Sequence, residues 1–169
     1  MNHSTLEKLK FPIGKCPKID TVSETELENW ITTIETFSSK IISLTKTLSV
    51  EELNWIYRPK GWSIKQVVHH CADSHMNSFI RFKLALTEDV PIIKPYEEQL
   101  WAELADGNSN DIVPSLQIIE SVHKRWVLLL KSLSSTELKR QFFHPSNLKI
   151  SSLEETIGVY AWHCNHHLA

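Results

Sequence analysis

Only four glycines interrupt the 169 residues, and in the long stretches between them apolar side chains return every three or four positions. From Leu27 they run Trp30, Ile31, Ile34, Phe37, Ile41, Leu44 and Leu48, one face of a long helix. Thr21 followed by Glu24 predicts a capping-box start for it. Ser49 with Glu52 predicts a short helix. Arg58-Pro59-Lys60-Gly61 is a turn, with Gly61 free to take unusual dihedrals. Ser63 with Gln66 then opens a second long helix carrying Ile64, Val67, Val68, Cys71, His75, Phe79, Phe82 and Leu86, and ending near Thr87. Residues 97–104 read as a short helix. Pro114 suits the first turn of a third long helix, whose face is Leu116, Ile119, Val122, Trp126, Leu129 and Leu133. Ser134 with Glu137 starts another short turn. Ser152 with Glu155 caps a fourth long helix with Ile157, Tyr160, Ala161, Cys164 and Leu168 on one stripe. Only residues 148–151 suggest extended chain. The pattern predicts an all-α fold, a four-helix bundle with additional short helices. It forms one domain over residues 1–169, with residues 1–20 as an extended N-terminal arm.

That length buries one sizeable core, and 41% hydrophobic with 22% charged residues is an ordinary globular composition. Lys and Arg number 18 against 20 Asp and Glu and are scattered along the chain with no run longer than two, so a nucleic-acid footprint is not expected. No apolar run reaches the roughly 18 residues of a membrane span, and residues 1–10 lack the apolar core of a signal peptide. Cys16, Cys71 and Cys164 are odd in number and far apart, which fits buried free thiols in a reducing compartment. The chain reads as cytoplasmic.

Nine histidines are unusual here. His163 and His167 stand four apart, so both rings leave one face of the last helix a turn apart. Two imidazoles at that spacing can share an ion, and a third ligand is then needed from elsewhere. The second helix offers His69 and His70, about 100° apart around its axis, so that one of them is the candidate. His166 competes with His167 as the partner of His163. Spacing leaves both choices open. The competing reading is that such pairs are ordinary core or surface residues. His3, His75, His123 and His144 have no partner at ligand spacing and are taken as structural or surface residues. Three neutral nitrogens with open positions are the pattern of a catalytic metal site.

The run from Gly61-Trp62-Ser63-Ile64-Lys65-Gln66-Val67-Val68-His69-His70 through Cys71-Ala72-Asp73-Ser74 to Arg81 resembles the YfiT branch of the DinB-like superfamily. So do Lys94-Pro95-Tyr96, Arg125-Trp126, Phe143-His144-Pro145 and the stretch from Tyr160 to the end. The resemblance covers nearly the whole chain, with motifs in order. It implies a four-helix bundle holding one divalent ion on His70, His163 and His167, which decides against His69 and His166. It also implies a homodimer. The related proteins continue one or two helical turns past the last ligand, whereas this chain stops at Ala169, so either the end is trimmed or the last turn frays.

By the same resemblance the activity is that of a metal-dependent hydrolase or of a thiol S-transferase using a low-molecular-weight thiol such as bacillithiol. A Lewis-acidic ion serves either by activating water or by holding a thiolate. Zn²⁺ and Ni²⁺ suit imidazole ligands, and the partner is a small electrophilic substrate. On the second helix Asp73, Ser74, Asn77 and Arg81 follow His70 along its own face. Asp73 is a candidate ring-orienting group or base, and Arg81 a candidate receiver of a substrate carboxylate; structural ion pairs are the alternative for both. Trp62, Trp101 and Trp162 are expected to pack in the core, with the pocket mouth as their second possibility. The rival from another class is a non-catalytic bundle, for metal storage or stress-linked interaction, whose ion a fourth protein ligand would close off.

Overall fold

The computed structural model describes residues 3–19 and 21–169, with side chains from Thr5 onward. The arm expected to be extended is not so throughout: α1 spans His3–Lys10, and a turn follows it in which the Gly14 N–H donates to the Phe11 carbonyl at 3.0 Å. The four long helices are α2 (Glu24–Thr45), α4 (Ile64–Thr87), α6 (Val113–Ser132) and α8 (Leu153–Leu168). Short helices α3 (Val50–Leu53), α5 (Glu98–Trp101) and α7 (Ser135–Leu138) sit in the connections. The last turn of α8 is closed by the Ala169 N–H, which donates to the Asn165 carbonyl at 3.2 Å.

Four of the five expected capping boxes form where the sequence puts them: Ser49–Glu52, Ser63–Gln66, Ser134–Glu137 and Ser152–Glu155. Each ties the orphan N–H groups of a first turn to side chains three residues apart. The first box lies two residues later than expected. Ser23 caps α2, with its N–H donating to Glu26 Oε2 at 3.0 Å and its Oγ accepting from the Glu26 N–H at 3.3 Å. In the 58–61 turn the positive φ falls on Lys60, at 58°. Gly61 is needed for room instead, because a Cβ there would lie 2.7 Å from Arg58 Cγ.

Around the bundle the order is α2, α6, α4, α8: α2 packs against α6 and α8, α6 against α4, and α4 meets α8 along a short seam. The consecutive long helices α2 and α4 therefore sit on a diagonal, a crossover rather than an up-down-up-down arrangement. The core contains Ile34, Phe37, Phe82, Ile119, Trp126, Leu153 and Ile157. The buried face of α6 is turned from the expected one. It holds Leu116, Ile119, His123, Trp126, Val127 and Leu130, while Val122, Leu129 and Leu133 pack only at its margin.

Extended chain also exceeds expectation. Strand β1 (Gln141–His144) pairs antiparallel with β2 (Lys149–Ser152), Phe142 facing Ser151 across the ladder. The hairpin is held to the bundle by Arg140, whose Nη2 donates to the Glu88 carbonyl at 2.6 Å and whose Nε donates to that of Ala85. The guanidinium thus satisfies carbonyls that the end of α4 leaves open.

Phe37 is fully buried, with its ring 5.1 Å from that of His75 and 5.3 Å from that of His123. Phe37→Ala is expected to cost about 3–5 kcal/mol in urea unfolding of the metal-free protein. Leu128→Ala, at a side chain 74% exposed, should stay within about 0.5 kcal/mol. Equal costs at the two positions would contradict this packing.

Candidate metal centre

His70 leaves α4 and His163 and His167 leave α8 where the two helices meet. His163 Nε2 lies 3.2 Å from His70 Nε2 and 3.1 Å from His167 Nε2. The three rings each offer one nitrogen, all within 4.8 Å of one another, and among the described residues no fourth His, Cys, Asp or Glu joins them. Zinc–nitrogen bonds of about 2.0–2.1 Å at tetrahedral angles separate their nitrogens by about 3.4 Å. The donor set therefore fits a divalent ion with little movement. His70 is buried, and His163 and His167 are partly so.

The two competing histidines turn elsewhere. His69 bridges to the start of α6, with Nδ1 2.7 Å from Ser115 Oγ and Nε2 3.0 Å from the Ser109 carbonyl. His166 stacks on Trp162 at 4.6 Å and 16°. Trp162 in turn donates from Nε1 to the Gly14 carbonyl at 3.2 Å, so it fastens the N-terminal segment rather than filling the core. Trp101 packs against Tyr96 near the surface. Trp62 covers the His70 ring at 4.6 Å. Of the three, only Trp62 touches a candidate ligand, and none belongs to the buried core.

The residues expected along the His70 face are there in different states. Ser74 Oγ lies 3.1 Å from Tyr160 Oη. Asn77 Nδ2 donates to the Asp73 carbonyl at 2.9 Å. Asp73 is partly buried; burial, and then the Asp106 carboxylate, push its pKa up. No hydrogen bond joins it to a ligand histidine among the described residues. Arg81 keeps a buried Nε without a partner, and its charge, after burial, helps to lower the pKa of His144.

The structure brings in two residues that spacing passed over. His75 Nε2 lies 3.0 Å from His163 Nδ1, and His75 Nδ1 lies 2.6 Å from His123 Nε2. His123 Nδ1 lies 2.6 Å from the Ile34 carbonyl. Both rings are fully enclosed. Their signal in the sequence was the phase of the apolar stripe: His75 occupies a core position of α4, and His123 sits between Ile119 and Trp126 on α6.

Burial holds all these imidazoles neutral. It lowers His70 and His123 to about 4 and His167 to about 3, and drives His75 and His163 well below the ordinary value. Neighbouring imidazoles add to the effect at every one of these except His123. The lone pairs of His70, His163 and His167 are therefore available to a cation at neutral pH. Burial also raises the thiol pKa of Cys71 and Cys164, and neither thiol is among the donors that cluster with His70, His163 and His167. Beside His167 opens a cavity of about 440 Å³, lined mainly by apolar side chains such as Ile41, Leu48, Ile64 and Val67, with Lys8 and Lys10 on its wall.

Similarity to known proteins agrees with this arrangement. The pattern of the DinB superfamily matches residues 34–169. The chain is 41% identical over 165 residues to the "Putative metal-dependent hydrolase YfiT" of Bacillus subtilis (strain 168), covering 98% of this chain and 93% of that protein. Proteins of Bacillus mycoides (strain KBAB4) and Oceanobacillus iheyensis that carry the same description are 44% and 46% identical, over 97% and 95% of this chain and 94% and 92% of their own. The solved structure of the Bacillus subtilis protein is described as a probable metal-dependent hydrolase with an unusual four-helix bundle topology. It superposes with a TM-score of 0.93 over 96% of this chain and 93% of its own, at 41% identity. With the family pattern covering residues 34–169, a relative 41% identical over nearly the whole chain and a solved structure superposing with a TM-score of 0.93, the chain belongs to the DinB superfamily, in its YfiT branch.

Proposed function

We propose that this chain is a metal-dependent enzyme. One divalent ion, zinc or nickel, on His70, His163 and His167 promotes attack by water or by a low-molecular-weight thiol on a small electrophilic substrate. The observation that carries the reading is the convergence of three neutral imidazole nitrogens from two helices, with no fourth protein ligand among the described residues. A shell of three leaves a position open, as catalysis requires and storage does not. An ion there supplies Lewis acidity that lowers the pKa of water to about 7 or favours a thiol as thiolate.

The surrounding residues divide the remaining work. Asp73, one turn along α4 from His70, is proposed as the proton acceptor, because its raised pKa moves a carboxylate toward the range useful for base catalysis. Arg81 lies eleven residues from His70, about 16 Å along the helix. That distance suits the carboxylate at the far end of an extended thiol cosubstrate better than a group at the reacting atom, and its unpartnered Nε is free to donate. The apolar cavity beside His167 is proposed to take the hydrocarbon part of the electrophile. The buried free thiols of Cys71 and Cys164 suit the reducing cytoplasm, where we place the protein; among the described residues no helix is long and apolar enough to cross a membrane. A homodimer through the exposed Leu100 and Leu104 completes the proposal.

Elemental analysis of untagged protein is expected to give about one equivalent of metal per chain for wild type and almost none for His163→Ala. No metal in wild type after incubation with zinc or nickel overturns the reading. Turnover without added thiol marks a hydrolase, and strict dependence on thiol marks a transferase.

Because burial depresses the ligand pKa values to about 4 for His70 and about 3 for His167, protons compete with the ion only in acid. Apparent zinc affinity is expected to stay level from pH about 7.5 to about 5 and to fall only as pH approaches 4. A decline centred near pH 6.5, the range of an exposed histidine, contradicts the enclosed site. Light scattering should return twice the 19.5 kDa chain mass, and Leu100→Glu should return it to one chain.

A further inference from the structure

A single line of hydrogen bonds runs through all four long helices and ends at the proposed metal. It starts at the Ile34 carbonyl on α2, passes through His123 on α6 and His75 on α4, and reaches His163 on α8, with separations of 2.6, 2.6 and 3.0 Å. A carbonyl oxygen accepts and never donates, so His123 Nδ1 must carry a proton. A neutral imidazole has one N–H, which leaves His123 Nε2 as an acceptor. His75 must then donate from Nδ1 and accept at Nε2. The same logic makes His163 donate from Nδ1 and leaves its Nε2 lone pair pointing at the Nε2 atoms of His70 and His167. Each step follows from the one before, and the direction is set by a main-chain atom that cannot change it.

Resting on the metal reading above, we infer that His123 and His75 are positioning residues that preset His163 in its ligand tautomer before any ion arrives. Among the described residues, no protein group bonds Nδ1 of His70 or His167, so His163 is the ligand this device serves. Phe37 packs against both relay rings, and neither ring can turn without disturbing the core. An N–H donor behind a metal-bound imidazole commonly finds a carboxylate or a carbonyl directly. Here two further imidazoles carry the same directional information from α2 to α8. A buried charge on His75 would make both its nitrogens donors and force His163 into the opposite tautomer, so the device works only in a dry, neutral core.

Histidine ¹⁵N NMR on the metal-free protein reads the tautomer of His163 directly, without metal and without activity. Wild type is expected to show His163 protonated at Nδ1 as a single species. His123→Leu removes the anchor and is expected to give mixed tautomers at His163, with zinc affinity reduced about tenfold or more. His123→Gln can donate to the Ile34 carbonyl and accept from His75, so it should restore the single tautomer and most of the affinity. A His163 protonated at Nε2 in wild type overturns the inference even if the variants fail to fold, and so does a tautomer unchanged in folded His123→Leu. If the tautomers behave as expected but wild type takes no zinc, the relay stands and the metal reading fails.

Discussion

Imidazole nitrogens left bare in an apolar interior cost several kcal/mol each, and this bundle encloses the rings of His75 and His123 completely. Their burial is tolerable because every nitrogen in the line from Ile34 to His163 faces a partner of the opposite kind. The rest of the architecture follows from placing that line. It needs one group from each long helix, so it depends on α2, α6, α4 and α8 meeting around one level of the core. Phe37 and Trp126 fill the space beside it; their rings lie within 5.1 and 6.2 Å of the His75 ring.

The crossed helix order explains where the candidate centre lies. With α2 and α4 on a diagonal, α4 becomes the neighbour of α8, and the seam between these two is the slightest contact among the four. A seam lightly packed by side chains has room for three imidazoles and an ion. Tight apolar packing on the other three sides supplies the rigidity that a preset ligand geometry requires. The long connections that allow the crossover hold the short helices and the hairpin, and Arg140 ties that hairpin to the end of α4.

Electrostatics and packing point the same way. Burial disfavours the positive form of His70, His163 and His167, so the proposed ligand set is neutral and an ion held there would keep its full charge. Along α4 from His70 come Ser74, whose Oγ meets Tyr160 Oη of α8, and Arg81 with its unpartnered Nε, while the apolar cavity is lined by His167 of α8.

Much of the fold was legible in the chain because it is written in local rules. Apolar spacing marks helices within a few turns, and Ser–Glu or Ser–Gln pairs three residues apart mark their starts, which is why four capping boxes fall where expected. Where neighbouring choices compete at similar cost, as between Thr21 and Ser23, the local rule errs by a turn's fraction. The strand 141–144 escaped because its partner, rather than its own pattern, makes it extended. The four-apart pair on α8 was equally local, and the choice of His70 over His69 came from resemblance, with the geometry in agreement. His75 and His123 could not be read in this way. Their partners lie 48, 88 and 89 residues away, and an aromatic ring on an apolar stripe gives no sign of which nitrogen it offers. The sequence by itself determined the helices, their caps and the types of side chain available to bind an ion. Only the tertiary structure decided which histidines face one another and which tautomer each adopts, because hydrogen-bond direction is settled by contacts between helices far apart in the chain.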